Sequence, residues 1–410
     1  MNENEYISLD LRAFATLTGP PQCEAIEIAG HSIPRLVGEF WTARQRQAAA
    51  LHEIAYRACF KPQLPRYFIE RLSQPGDLVY DPFSGRGTTA IEAALLGRRV
   101  IANDLNPLSA ILTMPRLRPP THQAVAERLA RIPPAAHGAD IDLSMFFHPT
   151  TEREIVGLRN YLRQRKHASE EDDVDAWIRM VATNRLTGHS SGFFSVYTLP
   201  PNQAVSPQRQ RLINARLNQR PTYRDTRAII LRKTRSLMRG LAEADIANLR
   251  HASQSALLLT CDARATPAIA SESVQLTVTS PPFLDVVQYA QDNWLRCWFN
   301  DLDAQVIARA IAQMRRLEDW LQVMQAVFSE LYRITRPGGW VAFEVGEVRG
   351  GRLCLDEHVI PLGVSAGFAC VAVLVNQQRF TKTANIWGIR NNERGTNTNR
   401  VVLFRKGQLT

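Results

Sequence analysis

The hydrophobic pattern divides this chain into a rhythmic part, an interruption, and a second rhythmic part. Between Gly76 and Pro107, the apolar run Leu78-Val-Tyr80 leads into a loop, Asp81-Pro-Phe-Ser-Gly-Arg-Gly87. Then come Thr88-Thr-Ala-Ile-Glu-Ala-Ala-Leu-Leu96 and a second apolar run, Arg98 to Asn103. Good helix formers between an opening Thr and a closing Gly97 predict a helix, and the flanking apolar runs predict strands. Strand, glycine loop, helix, strand is half of a doubly wound α/β sheet.

The rhythm then breaks. Proline-rich text at Met114 to Pro120 and Ile132 to Pro134 is followed by helix-like segments at Thr151 to Arg165, Asp173 to Asn184 and Thr222 to Asn248, with a loop at Leu199 to Gln203. Residues 115–255 therefore read as a large, mainly helical insertion. The alternation resumes with Ala256 to Thr260, a strand ending at Cys261-Asp262, and with Ser273 to Thr279. Trp320, Val323, Met324, Val327, Phe328, Leu331 and Tyr332 recur at helical spacing and give one buried face. Strands follow at Trp340 to Val345, Phe368 to Asn376 and Arg400 to Phe404. The expected organisation is an N-terminal extension over 1–50, a catalytic domain made of 51–114 and 256–410, and the insertion at 115–255.

Composition narrows the classes. The chain has 410 residues, 45% of them hydrophobic, enough for a sizeable core. No apolar run approaches the 18 or so residues of a membrane span, and the acidic start Met1-Asn-Glu-Asn-Glu is unlike a signal peptide. The six cysteines are scattered, without a C-x-x-C pair or a metal-ligand spacing. Reduced thiols in a cytoplasmic protein are expected, and no metal site.

Charge adds a partner. The formal net charge is +10. Between Ala176 and Arg250 lie thirteen basic residues against three acidic ones, an excess equal to that of the whole chain. Arg209, Arg211, Arg216, Arg220, Arg224, Arg227, Arg232, Lys233, Arg235 and Arg239 are the candidate nucleic-acid contacts, because a polyanion suits so dense a cationic stretch.

The chemistry-bearing residues stand at predicted strand ends. The first strand ends in Asp81 and the glycine loop, the second in Asp104, the third in Asp262, and the fourth in Thr279-Ser-Pro-Pro-Phe283. Ligands bind along the carboxyl edge of such sheets. Gly85 and Gly87 let a backbone approach a ligand, Thr88 and Thr89 open a helix toward a carboxylate, and Asp104 stands where an acid meets ribose hydroxyls. Position 90 is Ala, so the loop departs from the dinucleotide fingerprint and suits a nucleoside with an amino-acid tail.

Asp81-Pro-Phe-Ser-Gly-Arg-Gly-Thr-Thr89 resembles the AdoMet-binding loop of the amino-methylating DNA methyltransferases, and Thr279-Ser-Pro-Pro-Phe283 is similar to their catalytic motif, in the form typical of N4-cytosine enzymes. Phe60-Lys-Pro-Gln-Leu-Pro65 resembles the family segment that packs on the methionine end of AdoMet. The resemblance covers about 50–110 and 255–405. It implies a Rossmann-like, class I AdoMet-dependent methyltransferase sheet with helices on both faces, and AdoMet as cofactor. The cofactor set it implies is Lys61, Pro62, Asp81, Phe83, Gly85, Gly87, Thr88, Thr89, Asp104 and Asp262. The catalytic set is Ser280, Pro281, Pro282 and Phe283. The implied substrate is double-stranded DNA with its target base flipped out, with 115–255 as target-recognition region and a cognate restriction endonuclease as the protein partner.

Two departures carry expectations. Arg86 replaces the Ser of many relatives and is expected to point away from the cofactor; Phe283 replaces the commoner Tyr and keeps the stacking face. The chemistry then needs acceptors on an amine whose lone pair is delocalised into its ring: the Ser280 hydroxyl and the Pro281 carbonyl, held by two prolines, with Phe283 stacked on the base. Cytosine N4 is the leading target, with adenine N6, an RNA base amine and an inactive nucleic-acid-binding protein as rivals. Gln288 and Tyr289 divide evenly between base pocket and core, His52 reads as a surface or capping residue, and the amide-rich stretch from Asn385 to Asn399 as a nucleotide reader or a connection.

Overall fold

The structure, a computed structural model, describes residues 14–28, 30–42, 48–56, 59–198, 204–282, 289–311, 316–348, 353–377 and 398–407. Its main sheet has nine strands: β1 (Gln22–Ile28), β2 (His31–Gly38), β3 (Leu78–Asp81), β4 (Arg99–Asn103), β5 (Leu257–Leu259), β6 (Val274–Thr279), β7 (Thr335–Val345), β10 (Ala369–Gln377) and β11 (Thr398–Arg405). A separate two-stranded ladder pairs β8 (Glu347–Val348) with β9 (Leu353–Cys354). The order across the main sheet is β1-β2-β10-β11-β7-β6-β3-β4-β5.

Strands β5, β4, β3, β6 and β7 run parallel, while β11 is antiparallel between β7 and β10. The chain winds outward from β3 through β4 to β5 and then crosses to β6 and β7 on the other side of β3; this switch, with β11 antiparallel between β7 and β10 and β1 antiparallel at the edge, is the class I methyltransferase arrangement expected from the sequence. It puts the ends of β3, β4, β5 and β6 side by side at one edge.

Helices cover both faces, because alternate strand residues are apolar on both sides. Val79, Val100, Leu276, Val278 and Ala342 point into one core; Tyr80, Ile101, Val341 and Phe343 point into the other. The first face carries α1 (Gln63–Leu72), α2 (Thr88–Leu95) and α3 (Leu108–Leu117), then α4 (His122–Ala130), α5 (Pro149–His167), α6 (Asp173–Arg185), α8 (Thr226–Leu237) and α9 (Glu243–Ser255), while α7 (Pro207–Arg216) contributes nothing to that core. Before the second face come α10 (Tyr289–Phe299) and α11 (Ala304–Ala310); on it lie α12 (Leu317–Ile334) and α13 (Leu355–Ser365). The predicted stripe of α12 is buried at Trp320, Met324, Val327, Phe328 and Leu331.

Several details differ from the sequence reading. The first part of the proline-rich break, Met114 to Leu117, is helical, with Pro115 inside α3, and the chain leaves the helix only at Arg118. The single helix expected from Thr222 to Asn248 is two, α8 and α9, parted at Gly240, whose φ is +76°. The loop expected from Leu199 to Gln203 lies outside the described residues. The N-terminal stretch supplies a hairpin, β1 and β2, that extends the sheet beside β10. The Asn376 side chain fastens it by accepting from the Phe40 and Trp41 amides at 2.7 and 3.2 Å. Residues 115–255 share one continuous core with the sheet: Trp177, Ile230 and Leu249 belong to the same buried cluster as Val79 and Leu276.

Candidate active site

The glycine loop is built by its own backbone and by two side chains of the next strand. Gly85 and Gly87 have φ of +53° and +75°, a region that favours glycine. At Gly87 a Cβ would also stand 2.2 Å from Thr113 Oγ1, because α2 and α3 meet there. Asp104 accepts from the Gly85 amide at 2.8 Å and from the Asn106 amide at 2.8 Å. Burial pushes its carboxyl up to about 6 against those two bonds. Asn103 donates to the Pro82 and Cys261 carbonyls, at 3.2 and 2.9 Å, and accepts from the Cys261 amide at 3.1 Å. The ends of β3, β4 and β5 are thereby tied into one rim. Asp262 follows on that rim, half-exposed, its carboxyl held below the usual range by the Arg264 guanidinium 2.6 Å away. Lys61 is exposed, Pro62 is buried ahead of α1, and Phe83 packs half-buried on the second core.

Two buried guanidiniums brace the loop from behind. Arg86 donates to the His52 and Ile54 carbonyls at 3.2 and 2.9 Å and to Thr88 Oγ1 at 3.2 Å. Arg116, fully buried, donates to the carbonyls of Arg86, Leu51 and Leu112, and burial lowers its pKa to about 9. His52 is not a surface or capping residue. It is fully buried with Nε2 2.6 Å from Glu92 Oε1, because the segment around the Ala50–His52 turn is pressed onto α2.

The Thr-Ser-Pro-Pro stretch meets this loop directly. Thr279 Oγ1 donates to Asp81 Oδ1 at 2.6 Å, and Thr89 Oγ1 donates to the Val278 carbonyl at 3.1 Å. Burial pushes the Asp81 carboxyl up to about 6, opposed by bonds from Thr279, Thr89 and the Phe83 amide. The Thr88 and Thr89 hydroxyls are thus used inside the protein, where the sequence reading aimed them at a ligand carboxylate. Ser84 Oγ, in the same loop, is buried with no protein partner. Beyond Thr279, the Ser280 hydroxyl is hydrogen-bonded to Glu344, whose carboxylate also accepts from Asn399 Nδ2 at 2.9 Å. Glu344 is 6% exposed, and burial pushes its carboxyl up. Trp320 Nε1 donates to the Pro282 carbonyl at 3.0 Å and anchors the chain to α12. Phe283, Gln288, the Tyr289 side chain and Asn385 to Asn397 lie outside the described residues, so the expected stacking ring and amide-rich loop are not placed.

The basic residues divide by surroundings. Arg209, Arg211, Arg216, Arg220, Arg232, Arg235 and Arg239 are exposed. Of these, Arg211 pairs with Asp142 at 2.7 Å and Arg239 with Glu53 at 3.1 Å. Three others turn inward. Arg227 donates to the Ile132 carbonyl at 2.6 Å, Arg224 is half-buried with an orphaned Nε, and Lys233 lies 3.6 Å from Glu53 with its pKa lowered to about 8, chiefly by burial. Among the described residues, no cluster of His, Cys, Asp and Glu is placed to hold a metal ion, and no helix is long and apolar enough to cross a membrane.

With the loop, Asp104 and the rim in place, the comparison with known proteins is informative. Residues 31–110 match a family model described as DNA methylase. Over that segment the chain matches the amino-methylating DNA methylases. The segment holds Lys61, Pro62, the glycine loop and Asp104; Ser280 lies beyond it. The chain is 35% identical over 63 residues to Type II methyltransferase M.MjaII of Methanocaldococcus jannaschii, covering 15% of this chain and 12% of that protein. It is 42% identical over 77 residues to Type II methyltransferase M1.MboII of Moraxella bovis, covering 18% of this chain and 30% of that one. The matches thus span less than a third of the length of either relative. Among solved structures, TTHA0409 of Thermus thermophilus aligns over 36% of this chain and 51% of its own, at 23% identity and a TM-score of 0.23. TrmN of the same organism aligns over 88% and 52%, at 14% identity and a TM-score of 0.32. The fold assignment rests on the strand order itself.

Glu344 and Asn103 were missed from the sequence. Glu344 had a visible signal: it is the one charged residue in Trp340-Val-Ala-Phe-Glu-Val345, near the carboxyl end of the strand beside β6. Asn103 stood next to the chosen Asp104 and carried no distinguishing signal.

Proposed function

We propose that this chain is an AdoMet-dependent DNA methyltransferase acting on the N4 amine of a flipped-out cytosine. The observation that carries the reading is the junction of glycine loop and Thr-Ser-Pro-Pro stretch: Thr279 bonded to Asp81, on adjacent parallel strands, with Ser280 next in line at the same edge. A cofactor loop and a polar proline turn in register are what transfer from one ligand to another requires.

The residues present fit AdoMet. Asp104 offers carboxylate lone pairs near the left-handed Gly85, and Ser84 Oγ is a buried polar atom with no protein partner. Lys61 and Pro62 border the loop side at the start of α1, and Asp262 continues the rim toward where a base would lie. When bound, AdoMet supplies a methyl group on a sulfonium, electrophilic enough to need no covalent enzyme intermediate.

The remaining work belongs to the chain. Ser280 has one hydroxyl hydrogen, and its bond to Glu344 occupies it. The Ser280 oxygen is then left as an acceptor for an amine N–H rather than a competing donor. The Pro281 carbonyl is the second acceptor, and Pro281 and Pro282 stiffen the turn. Preorganised acceptors favour the amine as it becomes tetrahedral. Phe283 is the ring proposed to stack on the extruded base. The exposed arginines of the 115–255 region are the proposed contacts to DNA backbone and base edges, which makes that region the target-recognition part, with a paired restriction endonuclease as a protein partner.

The test is transfer of labelled methyl from AdoMet to mixed DNA and RNA, followed by digestion to nucleosides. N4-methylcytosine from DNA is the expected product. N6-methyladenine would replace the target base, label in RNA alone would replace the substrate, and no transfer with intact AdoMet binding would refute the enzyme.

A further inference from the structure

Helix α7 is unlike the other helices of the 115–255 region. It is held by its inner face on loops rather than seated in the helical layer. Gln210, fully buried, donates to the Tyr197 carbonyl at 3.0 Å; Asn214 donates to the Met145 carbonyl at 2.8 Å; Ile213 is buried between them. Ser206 caps its start, accepting from the Arg209 amide at 3.2 Å. The outer face carries Gln208, Arg209, Arg211, Leu212, Ala215 and Arg216, all exposed. From Pro207 to Pro221 there is no acidic residue.

An outward basic face by itself could be a solvated surface. The apolar residues argue otherwise. Seven large hydrophobic side chains are exposed among the described residues, and four of them lie between 197 and 223: Tyr197, Leu212, Leu217 and Tyr223. A fifth, Ile141, adjoins the Asp142 that pairs with Arg211. Leu212 is 66% exposed between Arg209 and Arg216 on one helical stripe. Scattered single leucines need no explanation, but Leu212 on a cationic helix, with Leu217 at its end and Tyr197 at its inner face, does.

The position is as telling as the composition. The lead-in to α7 is fastened to α10, the helix that follows the Thr-Ser-Pro-Pro-Phe stretch. Ala204 N donates to the Asp292 carbonyl at 3.1 Å, and Trp294 Nε1 donates to the Val205 carbonyl at 3.2 Å. The ten residues of α7 span about 15 Å, and a B-DNA major groove about 12 Å wide admits a helix.

We infer that α7 is a base-reading helix, inserted into the major groove of double-stranded DNA beside the methylated base, with Arg209, Leu212 and Arg216 as its specificity-determining side chains. The inference rests on the DNA methyltransferase reading and adds to it where sequence discrimination resides. The chemistry matches base edges rather than phosphates alone. Arginine forks suit guanine, amides suit adenine, and a bare leucine suits the thymine methyl, whereas a backbone clamp has no use for the leucine. Arg232 and Arg235, on α8, are the contrasting backbone contacts.

The experiment is selection from a pool of random-sequence duplexes by the full chain, with methyl transfer measured separately. The wild type should enrich a defined sequence. Arg209→Ala, Leu212→Ala and Arg216→Ala should each relax the preference at particular positions by roughly fivefold to a hundredfold. These side chains are exposed, so folding and AdoMet affinity should be kept. Arg232→Ala and Arg235→Ala should weaken binding to all duplexes without changing the preference. An unchanged preference in all three α7 variants would overturn the inference, as would a wild type that enriches no sequence. Enrichment by the wild type, relaxed in the variants, without any methyl transfer, would support the reading helix and count against the enzymatic function instead.

Discussion

The Thr279 hydroxyl donates to the Asp81 carboxylate across 2.6 Å, joining the last residue of β6 to the last residue of β3. The bond sets where Ser280 begins and where the glycine loop leaves the sheet. It also holds a buried acid whose pKa stands at about 6, raised from 3.8 chiefly by desolvation.

The sign of its pH effect follows. A folded-state pKa above the unfolded value means that the native state binds more protons between about pH 4 and 6, so stability falls as pH rises through that window. The difference of about two units is worth roughly 3 kcal/mol. Asp81→Asn removes this ionisation. Relative to wild type, the variant should gain about that much between pH 4 and pH 7 in denaturant titrations. A difference that does not vary with pH would refute the buried-acid account.

Ser280 and Glu344 give a second prediction. Ser280→Ala should lower turnover by roughly 10²–10³ if the hydroxyl acts as a preorganised acceptor. Glu344→Gln should lower it roughly tenfold or more. The amide can donate to the Ser280 oxygen and cancel the acceptor that the carboxylate leaves free. Since burial raises the Glu344 pKa, wild-type activity should fall on the acid side at a higher pH than an ordinary glutamate would give. The Gln variant should lack that limb. Pre-steady-state methyl transfer across pH measures both, and equal profiles would dismiss Glu344.

Gly87 tests the loop as a piece of packing. Its positive φ and the 2.2 Å approach to Thr113 Oγ1 both oppose a side chain. Gly87→Ala should cost more than the roughly 1 kcal/mol at which such backbone substitutions begin. Adding Thr113→Ala should return part of the loss, because it clears the contact but not the strain. Thermal unfolding of the single and double variants decides it.

Most of the sheet was legible because its strands announce themselves twice, by apolar runs and by a polar or glycine residue at the carboxyl end. Asp81, Asp104, Asp262 and Ser280 could be ranked along one edge for that reason. The N-terminal hairpin was not legible. Its strand β1 is mostly exposed, Gln22–Ile28, and shows little of the alternation that marks a half-buried strand. Helix α3 was hidden by Pro115, which its last turn accommodates. The Thr88 and Thr89 hydroxyls were assigned outward because a helix start suggests free donors, but spacing does not say which way a hydroxyl turns. Glu344 needed the sheet order, since it reaches Ser280 from a strand more than sixty residues away in sequence.

Asp104 separates cofactor binding from loop building. Asp104→Ala should weaken AdoMet by about 1.5–3 kcal/mol, the scale of a lost charge-assisted bond. It also frees the Gly85 and Asn106 amides. Wild-type affinity should decline as pH drops through about 6, where the carboxylate takes a proton. Asp104→Asn should flatten that decline. Calorimetry over pH 5–8 gives the answer, and an affinity indifferent to both substitutions would remove Asp104 from the site.

The cationic surface makes the last prediction, and here the structure sharpens the charge count. Arg227 and Lys233 are spent on internal partners, and a group held at 3.6 Å from Glu53 with a pKa lowered to about 8 is not one that a phosphate would recruit easily. The exposed pairs Arg211–Asp142 and Arg239–Glu53 are weak enough to exchange for a phosphate. If about five of the seven exposed arginines meet phosphates, log affinity should fall against log salt with a slope near −4.5. Charge reversal at Arg220, Arg232 and Arg235 together should reduce that slope by about three and abolish binding at moderate salt, with AdoMet affinity kept. Lys233→Ala should leave the slope unchanged. A flat salt dependence in the wild type, read by fluorescence anisotropy on a duplex, would mean that these arginines face only water.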